Sequence, residues 1–253
     1  MLSQLIWLIG NLLEVILLAR GIRGRLIHRY PFFYSYICFV LLQSPLRLAF
    51  YRWHRPLYAD IYWVTEFLGA AIGCGIVFEA YRVGLAAYPG TARMARRALS
   101  FVFLLAVAIA LANAADKPGW WAATTVTEIE RALRIVQALA IIALALLFWS
   151  YRIPFGRNLG GILAAYGLFV GASVVWLTFV YTGRSGFQHF WFYLKPASYD
   201  LALGTWLLCL WSYSAVPESQ ACVTLEQNYH QIAAATRRRL QETRGYLRKA
   251  VGS

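Results

Sequence analysis

The residues of this chain that could do chemistry are acids and bases set inside long apolar stretches. Glu14 lies well within the first stretch, Glu66 about a third of the way into the third, and Asp200 near the middle of the last; Arg134 is the matching deep cation. A charge at the centre of a bilayer costs roughly 2.5–3.5 kcal/mol on insertion scales, so an ionisable residue kept there is expected to bind, relay or pair. Each must face protein or water, because hydrocarbon supplies no donor. Gln43 and Gln137 are uncharged polar partners buried at similar depth. Arg47, Glu128, Glu130, Arg131 and Lys195 stand nearer the outer ends and are expected to act as interfacial anchors or ion pairs. Glu79, near an inner end, is expected to reach water.

Helical spacing gathers these residues into stripes. Gln4, Asn11 and Glu14 share a face of the first helix, and Gln43 and Arg47 are one turn apart on the second. Tyr62 and Glu66 continue on the third into Gly69, Ala70 and Gly73, a small-residue stripe that invites close helix approach. The fifth helix stacks Glu130, Arg134 and Gln137, and the seventh puts Lys195 and Tyr199 on one face with Asp200 beside them. Convergence of these faces predicts a polar, aromatic-lined cavity in the outer half of a bundle. Glu66, Glu130, Arg134, Lys195 and Asp200 would surround it, with Tyr58, Tyr62, Trp63, Tyr199 and Trp206. Such a cavity suits a small molecule with a polar head. The same residues read equally well as interhelical ion pairs that hold the bundle together.

Catalytic patterns are weak by comparison. The segment TEIERALR offers an acid with an arginine four residues on, but no histidine joins it within the helices. His28, His54, His189 and His230 have no second ligand at helical spacing, and Cys38, Cys74, Cys209 and Cys222 show no metal-type pairing. No metal and no cofactor is therefore expected, and the first three cysteines read as small core residues. Nucleophile-elbow and phosphate-loop patterns are missing from the sequence.

The elements that must position these groups are transmembrane helices. The chain is 60% hydrophobic and 14% charged, against roughly 45–50% and 25% in soluble domains. Apolar runs of about 20 residues, enough for a roughly 30 Å hydrocarbon core, occur at Leu2–Leu18, Pro31–Tyr51, Leu57–Tyr81, Ala98–Ala115, Trp120–Tyr151, Asn158–Thr182 and Phe190–Ser214. The fifth exceeds one span, so Trp120–Arg131 is expected to start in or lean along the outer interface. The linkers RGIRGR, RWHRP, YPGT, DKPG, IPFGR and YTGRSG are short and rich in turn formers. The first run lacks a positive leader and a cleavage pattern, so it is expected to be retained.

The fold class that follows is an all-α integral membrane bundle of seven helices over residues 1–217, with a basic helical tail over 218–253. Sixteen of the 24 basic residues fall on the side of the odd-numbered linkers and the tail, and four in the even-numbered linkers. That bias predicts an external N-terminus and a cytoplasmic tail in the plasma (inner) membrane, and it absorbs most of the +13 charge without a nucleic-acid partner. The preponderance of arginine over lysine fits a GC-rich bacterial genome. In the tail, Leu225, Tyr229, Ile232, Thr236, Leu240, Thr243 and Leu247 form a stripe opposite Arg237, Arg238 and Arg239. Residues 222–250 are thus expected to meet the bilayer, a cytoplasmic or membrane partner, or a second copy of the chain.

Seven helices, an external N-terminus, a lysine on the last helix and the stretch YADIYW at 58–63 superficially resemble the microbial rhodopsins. In that family the Schiff-base lysine is mid-helix with an aspartate one turn before it. Here Lys195 is near the outer end, precedes Pro196, and Asp200 follows it, so retinal is not expected and no family is recognised. Pro196 and Tyr199 likewise resemble the seventh-helix motif of eukaryotic receptors, on the opposite side of the membrane. The sequence points to a small-molecule receptor or sensor with output through the tail. A transporter or channel using the buried acids is the alternative, and a membrane-embedded enzyme the third reading.

Overall fold

A computed structural model describes residues 2–86, 88–115, 121–150, 156–181 and 188–212, with Ala234 and Thr236 of the tail. Among the described residues the chain is all-helical and has no strand. Its helices are α1 (Leu2–Arg23), α2 (Pro31–Trp53), α3 (Arg55–Gly84), α4 (Pro89–Ala115), α5 (Trp121–Ser150), α6 (Arg157–Tyr181) and α7 (Gln188–Cys209), and a short 3-10 turn, Leu26–His28, follows α1. The tail stripe expected over residues 222–250 lies otherwise outside the described residues.

Proline sets several boundaries. Pro31, Pro56 and Pro89 occupy first-turn positions, where the missing N–H breaks no helical bond. Only His54 separates α2 from α3, because Pro56 cannot carry the α2 ladder onward. α1 runs a turn past its apolar stretch, through Arg20 and Arg23, cations that suit a helix C-terminus.

Five segments are long and apolar enough to cross a membrane: Leu5–Arg23, Pro31–Trp53, Arg55–Gly84, Glu128–Ser150 and Arg157–Phe179. Outward faces of the helices carry large apolar groups, among them Leu8, Leu12, Leu42 and Leu139 on these segments, Phe101 and Leu104 on α4 and Leu208 on α7. Glu14, Thr65, Glu79, Glu130, Arg134, Gln137, Asn158 and Ser173 are buried instead. Water would penalise this distribution at about 25 cal/mol per Å² of exposed apolar surface, whereas lipid does not.

The helices form a ring in which α1 touches α2 and α7, and α6 touches α5 and α7. α3 lies inside, against α2, α4, α5 and α6. Its small residues explain the placement: Gly69, Ala70, Gly73, Cys74, Ala80 and Gly84 are all buried. A β-carbon at Gly73 would collide with the Tyr166 hydroxyl, and one at Gly84 would approach Phe148 to 2.7 Å and Leu159 to 3.2 Å. The Tyr81 hydroxyl adds a tie to α5 by donating to the Ala140 carbonyl at 2.8 Å. Of the cysteines expected in the core, Cys74 is buried, Cys209 half-buried and Cys38 exposed. Cys38 sits on an outward face of α2, where a weakly polar thiol needs no partner.

The basic ends of the helices are built with equal care. The end of α7 and the turn after it receive donors from two neighbours: Asn158 bonds the Cys209 carbonyl, the last of the helix, and that of Ser212 at 3.1 Å, and Arg20 bonds the Trp211 carbonyl at 2.8 Å. Arg157 joins them on Ser212 at 2.9 Å. Glu79 departs from its expected course to water. It is 3% exposed, and its two oxygens accept the N–H groups of Phe32 (3.2 Å) and Phe33 (3.0 Å), with Arg82 at 3.2 Å. Pro31 opens α2 with no side-chain cap, so those orphan N–H groups draw the carboxylate inward from α3.

Glu79→Ala is expected to lower stability by about 1–3 kcal/mol, the cost of leaving buried donors unmet. Glu79→Gln, which keeps one acceptor, should lose less. Thermal unfolding in detergent measures both, and equal melting for wild type and Glu79→Ala would contradict the capping role.

Candidate functional site

Three linked hollows occupy the half of the bundle that holds the start of α1, α3, α5 and α7. The first, about 340 Å³, lies between α1, α2 and α7 and is lined by Gly10, Asn11, Glu14, Ser44, Arg47 and, from α7, Pro196, Tyr199 and Asp200. The Tyr199 hydroxyl donates to Glu14 Oε1 at 2.9 Å, tying α7 to α1. Glu14 is 2% exposed, and its other oxygen has no hydrogen-bond partner among the described residues. Asp200 rests against α1 at Gly10, where a β-carbon would stand 2.7 Å from Oδ1. Glycine at that position is what lets the carboxylate lie beside the helix.

The second hollow, about 190 Å³, is walled by Tyr36, Gln43, Thr65, Glu66, Arg134, Phe169 and again Pro196 and Tyr199. Its charges are matched. Arg47 reaches Glu66 Oε1 at 3.0 Å and Thr65 Oγ1 at 2.8 Å, with its guanidinium 4.6 Å from the centre of the Tyr62 ring. Arg134 lies 3.7 Å from Glu130, both deeply buried, and 5.2 Å from the centre of the Phe169 ring. Below it Arg134 donates to the Tyr166 oxygen at 3.5 Å, Tyr166 donates to Gln137 Oε1 at 3.0 Å, and Gln137 donates to the Ala70 carbonyl at 2.9 Å. The third hollow is a groove of about 730 Å³ between α1, α2 and the start of α3, lined by Trp7, Leu8, Leu48, Tyr51 and Tyr58. It shares Trp7, Ser44 and Arg47 with the first hollow and Gln43 with the second.

The structure therefore brings Glu66, Arg134, Gln43 and Tyr199 to one hollow, and Glu14, Asn11, Arg47, Tyr199 and Asp200 to another. Tyr62 lies under Arg47, and Trp63 packs edge-on against Tyr62 at 5.2 Å. Glu130 and Gln137 stand behind Arg134, in its bonded chain. Trp206 lines none of the three. It is fully buried in the core, edge-on to Phe33 at 5.1 Å, with its indole N–H on the Ile162 carbonyl at 3.2 Å. The Lys195 side chain lies outside the described residues. Arg47, placed at the interface by sequence, turns inward because Glu66 and Thr65 offer it acceptors within the bundle.

Sequence reasoning missed Tyr36, Thr65, Tyr166, Phe169 and Gly10. Tyr36, Val40, Gln43 and Arg47 are spaced by four, three and four, so the α2 stripe could have been traced one turn further. Tyr166 and Gly10 gave no such signal; each matters through a contact with a distant helix.

The arrangement can hold charge of one sign in one place. Glu66 and Glu130 have guanidinium partners, while Glu14 and Asp200 have no ion-pair partner among the described residues. The first hollow thus carries unmatched acids beside a part-apolar wall.

Arg47→Gln, which strips Glu66 of its guanidinium partner, should cost about 1–3 kcal/mol. Arg47→Gln with Glu66→Gln should recover more than half of that loss in a double-mutant cycle read by denaturation in detergent. Strict additivity of the two single changes would mean that the pair contributes nothing.

No family model, curated protein or solved structure matches the chain, so its function is argued from the chemistry of these hollows.

Proposed function

We propose that the chain crosses the plasma membrane seven times, N-terminus outside, and senses a small molecule with a polar head bound in the outer-half hollows, with output through the basic tail. The observation that carries the reading is the linked set of hollows whose walls hold buried acids, arginines and aromatic rings. Ligand sites pair a mostly apolar wall with a few fixed polar groups, and this one has both. The positive-inside bias supports the orientation: Arg20, Arg23, Arg82, Arg96 and Arg157 all lie at the end opposite the hollows.

A transporter using the same acids is the second reading, favoured by their depth. The packing beneath Tyr199 weighs against it. Trp206, Tyr166, Phe33 and Leu203 are fully buried there, with Phe33 edge-on to Trp206 at 5.1 Å and Tyr166 stacked on it at 6.5 Å. A sensor needs an outer pocket and a closed base, whereas a transporter must reopen this core to the other side.

Topology is tested by substituted-cysteine labelling in a cysteine-free background with a membrane-impermeant maleimide on intact cells. Ser3→Cys should react and Ser253→Cys should not; labelling of both sinks the seven-span scheme. Output is tested by complementing a deletion strain. A chain truncated after Pro217 should leave the transcript profile as in the deletion, and wild-type proteoliposomes should show no proton flux. Full complementation by the truncated chain would remove the sensor reading, and flux lost in Asp200→Asn would install the transporter.

A further inference from the structure

We infer that the hollow between α1, α2 and α7 is an ammonium site, in which Glu14 and Asp200 hold the charged head of an organic amine. The inference rests on the ligand-binding reading above and names the ligand's chemical class.

The argument begins with Glu14. This side chain is 2% exposed and one oxygen is engaged by Tyr199, but Oε2 has no hydrogen-bond partner among the described residues. Ionised, Glu14 lacks a counter-charge among those residues; in either form Oε2 is left without a hydrogen bond. The protein satisfies neither form, and buried polar groups in native proteins are rarely left so. The missing partner belongs in the hollow that Glu14 lines.

The wall then favours one sign of partner, because among its described donors the guanidinium and the phenol are already used, the Ser44 hydroxyl and Trp7 indole aside. Asn11 gives one of its two amide N–H groups to the Trp7 carbonyl at 2.6 Å, and its Oδ1 is left to accept. The Tyr199 proton goes to Glu14, and Arg47 directs its guanidinium to Thr65, Glu66 and the Tyr62 carbonyl. Asp200 adds two acceptor oxygens, held beside α1 by the close approach to Gly10, one turn before Glu14. Acceptors and negative charge remain, so the complement is a cation rich in N–H groups. A primary ammonium has three donors, matching Glu14, Asp200 and Asn11.

Size and wall composition separate an organic amine from a bare ion. At about 340 Å³ the hollow falls in the range of small-molecule pockets and far exceeds the space of one water or ion. Trp7, Val40 and Pro196 give an apolar and aromatic surface to the carbon part of the ligand, and an indole face attracts a cation. The shared Trp7, Ser44 and Arg47 join this hollow to the groove of about 730 Å³. The same alkylammonium chemistry can therefore arrive as a free amine or as the headgroup of an amphiphile whose chain lies in that groove.

The test uses the full-length chain in nanodiscs of phosphatidylglycerol, a lipid without an ammonium group. Ethylammonium chloride and lysophosphatidylethanolamine are titrated separately, with sodium chloride at matched ionic strength, and melting temperature and tryptophan fluorescence are read. A saturable rise in melting temperature with either amine, not reproduced by sodium, is expected; saturation by ethylammonium assigns a free amine, and saturation by the lysolipid alone assigns a headgroup. Glu14→Gln should weaken binding on the order of tenfold or more. Gly10→Ala, which displaces the Asp200 carboxylate without removing charge, should weaken it as well and stands in if Glu14→Gln does not fold. Glu79→Gln, at the opposite end of the bundle where Glu79 caps α2, should change affinity by less than about twofold. Absence of any amine effect, an equal effect of sodium, or wild-type affinity in both Glu14→Gln and Gly10→Ala overturns the assignment. Such a result leaves the tail-truncation test untouched, and failure of that test leaves this one standing.

Discussion

Outward faces as apolar as those of these helices suit hydrocarbon, where apolar side chains gain nothing by leaving the surroundings for each other. Helices with greasy exteriors hold together only by approaching closely enough for dispersion to act, and by exchanging hydrogen bonds that lipid cannot supply. α3 meets the first condition through its small-residue face, which lets Tyr166, Phe148 and Leu159 press against its backbone. The second condition is met at the helix ends, where Glu79 caps α2 and Arg20, Asn158 and Arg157 cap α7. These caps join helices distant in sequence, so they act as tertiary clamps as well as local terminators.

The same economy divides the buried charges into two kinds. Glu66, Glu130, Arg47 and Arg134 are consumed in pairs and in cation–π contacts with Tyr62 and Phe169. They make the centre of the bundle polar with charge set against charge, although Glu130 Oε1 and Arg134 Nε, 3.7 Å apart, make no hydrogen bond among the described residues. Glu14 and Asp200 belong to the other kind, for among the described residues their surroundings return one tyrosine hydroxyl and no ion pair. A bundle that needed only cohesion would gain by placing leucine at both positions, as replacement of buried ion pairs by apolar groups shows elsewhere. Under the proposed reading, these two acids beside a hollow serve binding, whereas the paired charges serve cohesion.

The helices were legible in the sequence as long apolar runs, five of which are long and apolar enough to cross a membrane. The observed bounds differ mainly at basic ends, where arginines extend α1 beyond its greasy stretch. The stripes on α3 and α5 were also legible, since spacings of three and four place Glu66 and Arg134 on single faces. Direction was harder. Arg47 and Glu79 have side chains long enough to reach water, and sequence alone weighs reach, not the acceptors or donors that another helix presents. Trp206 was misplaced in the cavity for a related reason: an amphipathic indole suits a wet wall, but the Ile162 carbonyl satisfies its N–H inside the core. Gly10 was silent, because its importance is a gap filled by Asp200, 190 positions away.

Tyr199 is the residue on which these strands of argument meet. It forms part of the wall of both inner hollows, its hydroxyl fixes Glu14, and its ring contacts Phe169 at 5.2 Å and Trp206 at 6.3 Å. Trp206 in turn packs on Phe33, whose N–H is held by Glu79 at the basic end. An occupant that draws Glu14 and Asp200 toward itself competes for the Tyr199 bond, and the ring cannot move without repacking against Phe169 or Trp206. α7 also ends at the carbonyls clamped by Arg20, Asn158 and Arg157, immediately before the segment that leads to the tail. Under the proposed reading, the helix that contacts the ligand is thus the one that continues into the output element, and no separate relay is required.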